Sequence, residues 1–322
     1  MTNRSDIMGV ILAAGKGSRI YPFGDRYPKS MLPICNKPLI HYQIELMKQL
    51  DIKEIVIVVG HLKEGIIDYL KDGSSFGVNI KYVEQRERLG LAHAVVQIEN
   101  YINRPFVLLL GDIYCIYKEV KNILNIFKKC SDGAVLAVKE EKNLEAIKKN
   151  FAVILDKNDL VKRVIEKPRY TLSRLKGCGL YLFSLNIFDA IRRTPKTAYR
   201  DEYEITDSIQ ILINDGFPVK VAKIIKEDIN LTFPCDLLNC NLLQLKRLNK
   251  NKDIGLNTKI RKNTKIINSV IGNNVVINHP ITIRDSLIFP DVKIINRENI
   301  LGRVVTQEYE IRCPERERED LR

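Results

Sequence analysis

The stretch GVILAAGKGSRIYPFGDRYPKSMLP, from Gly9 to Pro33, begins as an apolar strand, breaks into a glycine-bearing loop and ends in Arg, Lys and Pro. A loop of this kind directly after a strand holds phosphate, because glycines let backbone N–H groups approach phosphate oxygens closely. Arg19 adds a forked cation suited to a diphosphate, and Lys29 follows between two prolines. The spacing excludes two familiar cradles. No G-K-[ST] follows four residues after Gly15, and Ile20 stands where the third glycine of G-x-G-x-x-G belongs after Gly15 and Gly17. Gly60 and His61 occupy the end of the second strand, where a nicotinamide-binding fold carries an acidic residue.

Outward from this loop, apolar runs alternate with helical patterns up to about residue 245. IMGVILAA, EIVIVVG, NIKYVEQ and FVLLLGD read as strands. Pro38–Leu50, Glu64–Leu70 and Ala92–Tyr101 read as helices. Near-continuous Val/Ile/Leu strands separated by helices mean an α/β, Rossmann-like, mostly parallel sheet covered on both faces. In such sheets ligands sit at the carboxyl ends of the strands, where AAGKGSR and the Gly111-Asp112 pair both fall.

Beyond about residue 250 the pattern changes to three segments of 17 residues, DIGLNTKIRKNTKIINS, VIGNNVVINHPITIRDS and LIFPDVKIINRENILGR. Isoleucine recurs every six residues, at Ile254, Ile260, Ile266; Ile271, Ile277, Ile283; and Ile288, Ile294, Ile300. No helix repeats apolar residues every six. A triangular, left-handed parallel β-helix does, since each of its short sides points one residue inward. Val305 and Ile311 are expected to start a fourth turn. The resulting division is a domain over 1–248, a short β-helix over 249–313 and a charged tail over 314–322.

Composition bounds the function. The chain has 322 residues, 45% of them hydrophobic, enough for a large core. Its apolar runs are far shorter than the roughly 20 residues that span a bilayer, so no membrane partner is expected. The formal charge of +13 fits a solvated surface as well as phosphorylated small substrates; spread along the chain and not massed in one arm, it argues against nucleic acid. Seven scattered cysteines with no C-x-x-C pair imply a reduced, cytoplasmic setting without disulfides or a zinc site.

The string G-x-G-[ST]-R followed by P-K-x-[ML]-[LV]-P resembles the signature of the sugar-1-phosphate nucleotidyltransferases. EQRERLGLAHAV, LLLGD, EKP (166–168) and EYEITDSIQ resemble four further motifs of that family, in order. DGSSFG, GLAHAV, EITDSIQ and the C-terminal coil are most similar to its long glucose-1-phosphate thymidylyltransferases. The resemblance implies a reaction in which NTP and a sugar 1-phosphate give an NDP-sugar and pyrophosphate, with Mg²⁺. It also implies roles. Ala14, Gly15 and Gly17 cradle the triphosphate, Arg19 stabilises the departing pyrophosphate, and Lys29 sits on the α-phosphate. Gln85 and Gly90 read the base, with thymine favoured and uracil the alternative. Asp112 binds Mg²⁺, with Asn230 as second ligand. Lys167 holds the sugar phosphate and Glu166 the sugar hydroxyls, with Gly179 and Thr206 beside them. A homo-oligomer is expected, the coil serving assembly.

Three departures from the family pattern stand out. Asp228 and Asn230 occupy the places of a Trp and an Asp; Phe151-Ala152-Val153 replaces Y-G-V; and Ile113 follows Asp112 where an Asn is frequent. Plainer roles compete with the functional ones. By type alone Asp112 also reads as a helix N-cap, Glu166–Lys167 as a solvent-facing pair, and Lys29 as a surface lysine, each the lesser reading. His93 reads as a packed or hydrogen-bonded histidine, and His279 in the coil as structural despite the acyltransferases that use a histidine on that scaffold. A non-catalytic sugar-nucleotide sensor is the rival of another class, and the presence together of Arg19, Lys29, Asp112 and Lys167 counts against it.

Overall fold

The computed structural model describes residues 6–87, 89–130, 132–198 and 201–314; of the charged tail, only Pro314 lies among them. The chain separates into two compact units. One comprises 1–15 and 42–228, the other 16–41 and 229–322.

The first unit is built on a nine-stranded sheet. Its strands are β1 (Met8–Leu12), β2 (Glu54–Val59), β3 (Asn79–Glu84), β4 (Phe106–Leu110), β6 (Ala134–Glu140), β7 (Phe151–Leu155), β8 (Val161–Glu166), β9 (Leu175–Phe183) and β10 (Val219–Ala222); β5 (Ile113–Tyr117) lies outside it, pairing with β11 (Ile225–Asn230). The order is β8-β7-β9-β4-β1-β2-β3, with β6 between β9 and β10. Strands β3, β2, β1 and β4 run parallel, as the apolar runs require. The second half turns antiparallel around β9, which pairs with β4, β6 and β7.

Alternation sorts the two faces. Met8, Val10 and Leu12 of β1 join Val56, Val58, Phe106 and Leu108 in one buried cluster with the helices α3 (Leu91–Val96), α6 (Asn186–Arg192) and α7 (Ile205–Asn214). On the other face, a Cβ on Gly9 would lie 3.0 Å from Met47 Sδ of α1 (Leu39–Gln49), so glycine admits that helix. Helix α2 (Lys63–Leu70) matches its sequence pattern. The pattern over Ala92–Tyr101 instead breaks after α3 into a 3-10 turn at Glu99–Tyr101.

In the second unit the isoleucine period becomes three parallel ladders. Ile254, Ile271, Ile288 and Val305 stack in one. Ile260, Ile277 and Ile294 stack in the second, and Ile266, Ile283 and Ile300 in the third. The corners also repeat at 17. Asn257, Asn274 and Asp291, and Asn268, Asp285 and Gly302, all take positive φ, which suits residues that tolerate left-handed backbone. Side-chain bonds join successive turns at these corners, Asn268 Nδ2 to Asp285 Oδ1 at 2.7 Å and Asn274 Nδ2 to Asp291 Oδ1 at 2.9 Å.

Two expectations are corrected here. Ile311 does not extend the coil. It lies on an antiparallel strand, Glu310–Arg312, that folds back on Arg303–Val305 and closes that ladder. Cys235 and Cys313 form a disulfide across 78 residues, with Cα atoms 5.4 Å apart. Spacing along the chain carries no trace of that pairing. Cys35, Cys115, Cys130, Cys178 and Cys240 are outside this disulfide.

Candidate active site

Strand β1 lies between β2 and β4, so the direction of the crossovers reverses at β1, and open α/β sheets bind ligands beyond the strand ends at such a point. Glycines flank the β1 exit. A Cβ on Gly60, after β2, would lie 2.9 Å from the Ala14 carbonyl oxygen. One on Gly111, after β4, would lie 2.5 Å from the Leu12 oxygen, to which the Gly111 N–H donates at 2.8 Å. Ala14 is buried and Gly15 exposed with open space around it. Asp112, half-buried, stands directly after Gly111. Strand β5 follows it, which removes the helix N-cap reading.

Other candidates gather near these strand ends. Gln85, 8% exposed, directly follows β3 and its N–H donates to the Val59 carbonyl. Gly90 has φ 107°, and a Cβ there would meet the Tyr203 carbonyl oxygen at 2.5 Å. Tyr203 in turn donates its N–H to Leu89 and accepts from Ala92. His93 contacts Gln97 and stacks on Tyr203, as a packed histidine does. Gly179 has φ 65° inside a bulge of β9, and its missing Cβ would touch Ile113 and Leu110, the neighbours of Gly111-Asp112.

Glu166 ends β8, and its Oε2 accepts from the buried Thr206 hydroxyl of α7 at 3.4 Å. Lys167 has φ 41°, its N–H donates to Asn150, and its Nζ lies 3.8 Å from Glu166 Oε1. Glu166 and Thr206, 40 residues apart in sequence, are thus brought together, and Glu166 is no free surface carboxylate.

On the strand row of Ala152 lies a buried ionic cluster. Lys176, paired with Ala152 and Lys139 across the sheet, is 4% exposed. Its Nζ is 2.8 Å from Asp228 and 3.5 Å from Glu141, while Lys139 reaches Glu227 at 2.8 Å. Burial opposes the Lys176 charge, but Asp228, the Cys178 sulfur and Glu141 outweigh it and push its pKa up. Asp228 is therefore one half of a buried ion pair. Ala152 is fully buried.

The second unit carries the remaining candidates. Gly17 has φ 72° and the chain crosses itself there. A Cβ on Gly24 would lie 2.2 Å from the Gly17 carbonyl oxygen, and one on Gly17 would lie 3.2 Å from the Lys29 side chain. Three short 3-10 turns follow, Ser18–Ile20, Phe23–Asp25 and Lys29–Met31. Arg19 is exposed and Lys29 half-buried. Asn230 is half-buried at the end of β11.

Sequence reasoning missed Gly24, Gln43 and Lys176. Gln43 of α1 donates from Nε2 to the Leu110 carbonyl at 2.9 Å, bracing the chain one residue before Gly111. Gly24, a further glycine in the same glycine-bearing loop, was the available signal for the first.

The profile of the family described as "Nucleotidyl transferase" matches residues 8–229. The chain belongs to that family. It is 38% identical over 215 residues to "Low-salt glycan biosynthesis nucleotidyltransferase Agl11" of Haloferax volcanii, covering 66% of this chain and 58% of that protein, so it spans little more than half of that relative. It is 33% identical to "UTP--glucose-1-phosphate uridylyltransferase AglF" of the same organism, covering 71% of this chain and 93% of that one. To "Glucose-1-phosphate thymidylyltransferase" of Streptomyces griseus it is 32% identical, covering 74% and 66%. Among solved structures, a UDP-glucose pyrophosphorylase complexed with UDP-glucose superimposes with a TM-score of 0.66 at 25% identity, covering 75% of this chain and 99% of that one. Among the described residues no helix is long and apolar enough to cross a membrane.

Proposed function

We propose that this protein is a sugar-1-phosphate nucleotidyltransferase that joins an NMP unit from a nucleoside triphosphate to a sugar 1-phosphate and releases pyrophosphate. The observation that carries the proposal is the β1 exit, opened by Gly60 and Gly111 and followed by Asp112. In-line attack of a sugar phosphate oxygen on the α-phosphorus asks for positioning and charge neutralisation more than covalent chemistry. Ala14, Gly15 and Gly17 offer backbone to the triphosphate. Arg19 steadies the leaving pyrophosphate and Lys29 the α-phosphate. Glu166, set by Thr206, takes sugar hydroxyls, and Lys167 the sugar phosphate; Gly179 leaves room beside them.

Asp112 fits magnesium by donor type, since this hard cation takes one or two carboxylates and completes its shell with waters and substrate phosphates. When bound, the ion neutralises phosphate charge. Asn230 is the proposed second protein ligand, a neutral oxygen in place of a charged one. A cytoplasmic, homo-oligomeric enzyme belongs to the same proposal, as does a division into a nucleotidyltransferase domain over 1–248 and a short β-helix over 249–313.

For the base, Gln85 presents both a donor and an acceptor, which suits the N3–H and carbonyl edge of thymine or uracil. We favour thymine. Uracil is the second reading, carried by the relatives named for UTP and UDP-glucose. Discrimination rests on a methyl and a hydroxyl, worth about 1–3 kcal/mol at an apolar contact. Pyrophosphate release across five nucleoside triphosphates and a panel of sugar 1-phosphates tests this. Activity is expected with dTTP and UTP, dTTP being better. A preference for CTP or GTP contradicts the base assignment.

A further inference from the structure

We propose that the last turns of the coil are the seat of the phosphate loop, and that Phe289, with Glu308 and Tyr309, are positioning residues for Arg19 and Lys29. The inference rests on the proposed nucleotidyl transfer and adds a role for the coil beyond assembly.

The loop is a run of short turns. Its backbone bonds are local turns: Ile20 to Gly17, Arg26 and Tyr27 to Phe23, Met31 to Pro28, Leu32 to Lys29. Its aromatic side chains meet the coil. Phe23, 2% exposed, stacks on Phe289, 3% exposed, with centroids 5.0 Å apart and planes 10° from parallel. Tyr27 leans on the same ring at 6.1 Å. The hydroxyls of Tyr21 and Tyr309 are 3.4 Å apart, and Arg26 pairs with Glu308. Offset or stacked aromatic pairs of this kind fix geometry as well as bury area.

The coil is shaped for this contact. The 17-residue period puts Gly255, Gly272 and Phe289 at equivalent positions. At the first two a Cβ would fall 2.5 and 2.4 Å from backbone of the next turn. The third turn alone of these carries a side chain there, and it is the ring that receives Phe23. Glu308 and Tyr309 sit in the tight turn between the closing strands. Thr306 Oγ1 accepts the Tyr309 N–H at 2.9 Å, and the Thr306 N–H donates to the Tyr309 carbonyl at 2.8 Å. The antiparallel pairing of Glu310–Arg312 and the Cys235–Cys313 disulfide anchor this hairpin at its base. At the other end of the loop, Cys35 and Asn36 form a two-residue hairpin turn. Cys35 N–H donates to the buried Asn241 of α8 (Pro234–Arg247) at 2.8 Å, and Asn36 Nδ2 to Asp253 at 2.8 Å. The stretch carrying Arg19 and Lys29 is thus fastened at both ends.

The test compares Phe289→Ala, Phe289→Tyr and Ile294→Val, the last loosening the coil interior in the same turn without touching the loop. In Phe289→Ala the KM for the nucleotide should rise at least tenfold while the KM for sugar 1-phosphate stays within twofold. Phe289→Tyr should restore the wild-type value, and Ile294→Val should not move it. Hydrogen exchange supplies a readout independent of activity. Amides of 20–32 should exchange at least tenfold faster in Phe289→Ala, with those of the coil interior unchanged. A wild-type chain inactive on every substrate pair contradicts the functional reading alone. Unchanged exchange at 20–32, or an unchanged nucleotide KM in an active Phe289→Ala enzyme, overturns the positioning role.

Discussion

Lys29 owes its place to two glycines. Gly17 adopts a left-handed conformation and Gly24 packs against its carbonyl, so the loop crosses itself under the Lys29 stem. Glycine spacing and the flanking prolines single out Gly17 and Lys29 in the sequence, and the structure adds the left-handed turn at Gly17. Gly24 and Gln43 are not singled out, because their roles depend on chain folding back to meet a particular carbonyl. Lys29 itself is the sharpest residue to change. Oriented charge on a transferring phosphoryl group commonly supplies about a hundredfold in rate. Lys29→Ala should lose that much in kcat with the fold intact by circular dichroism, and near-wild-type turnover removes Lys29 from the α-phosphate.

At the scale of elements, strands and coil were the most legible features. Four parallel strands lie within the apolar runs, and nine isoleucines fall into three ladders, since burial on a fixed period leaves a fixed pattern. The antiparallel turn of the sheet around β9 was hidden, because apolar strands buried on both faces read alike whichever way they run. The buried pair Lys176–Asp228 was hidden too, its members lying on β9 and β11. Removing one partner of a buried pair leaves an uncompensated charge, a loss of about 3–5 kcal/mol. Lys176→Met should therefore destabilise strongly in denaturant titration, and adding Asp228→Leu should recover much of the loss. The sign of the pH dependence follows. With its folded pKa raised, Lys176 contributes fully below its ordinary value of about 10.4, and the contribution fades as pH rises through the folded value. Burial works against the Glu141 charge, but the Asn143 N–H, Lys176 and Lys139 lower its pKa. Its share is present above the ordinary Glu value of about 4.3 and is lost as pH falls through the folded one. Wild-type stability should decline at both extremes, and Lys176→Met should flatten the alkaline limb. An unaltered alkaline limb, or no loss of stability, dissolves the assignment.

At the scale of the whole molecule, the chain groups 16–41 with 229–322 and not with the sheet that precedes it. That grouping could not be read from sequence, because the loop's partners lie more than two hundred residues downstream. The disulfide between Cys235 and Cys313 was equally invisible; closing a loop of 78 residues contributes about 4.5 kcal/mol in the chain-entropy account. Family membership shows the fold, while transfer itself separates an enzyme from a sensor that binds sugar nucleotides without reacting. The most direct measurement incubates the full chain with α-labelled dTTP, glucose 1-phosphate and Mg²⁺ and follows the label and pyrophosphate together. Label should appear in a dTDP-sugar with one pyrophosphate released per transfer, and added pyrophosphate should drive the label back to dTTP. Tight binding of dTTP or its sugar nucleotide, with no label transferred to any sugar 1-phosphate from any nucleoside triphosphate, contradicts the account.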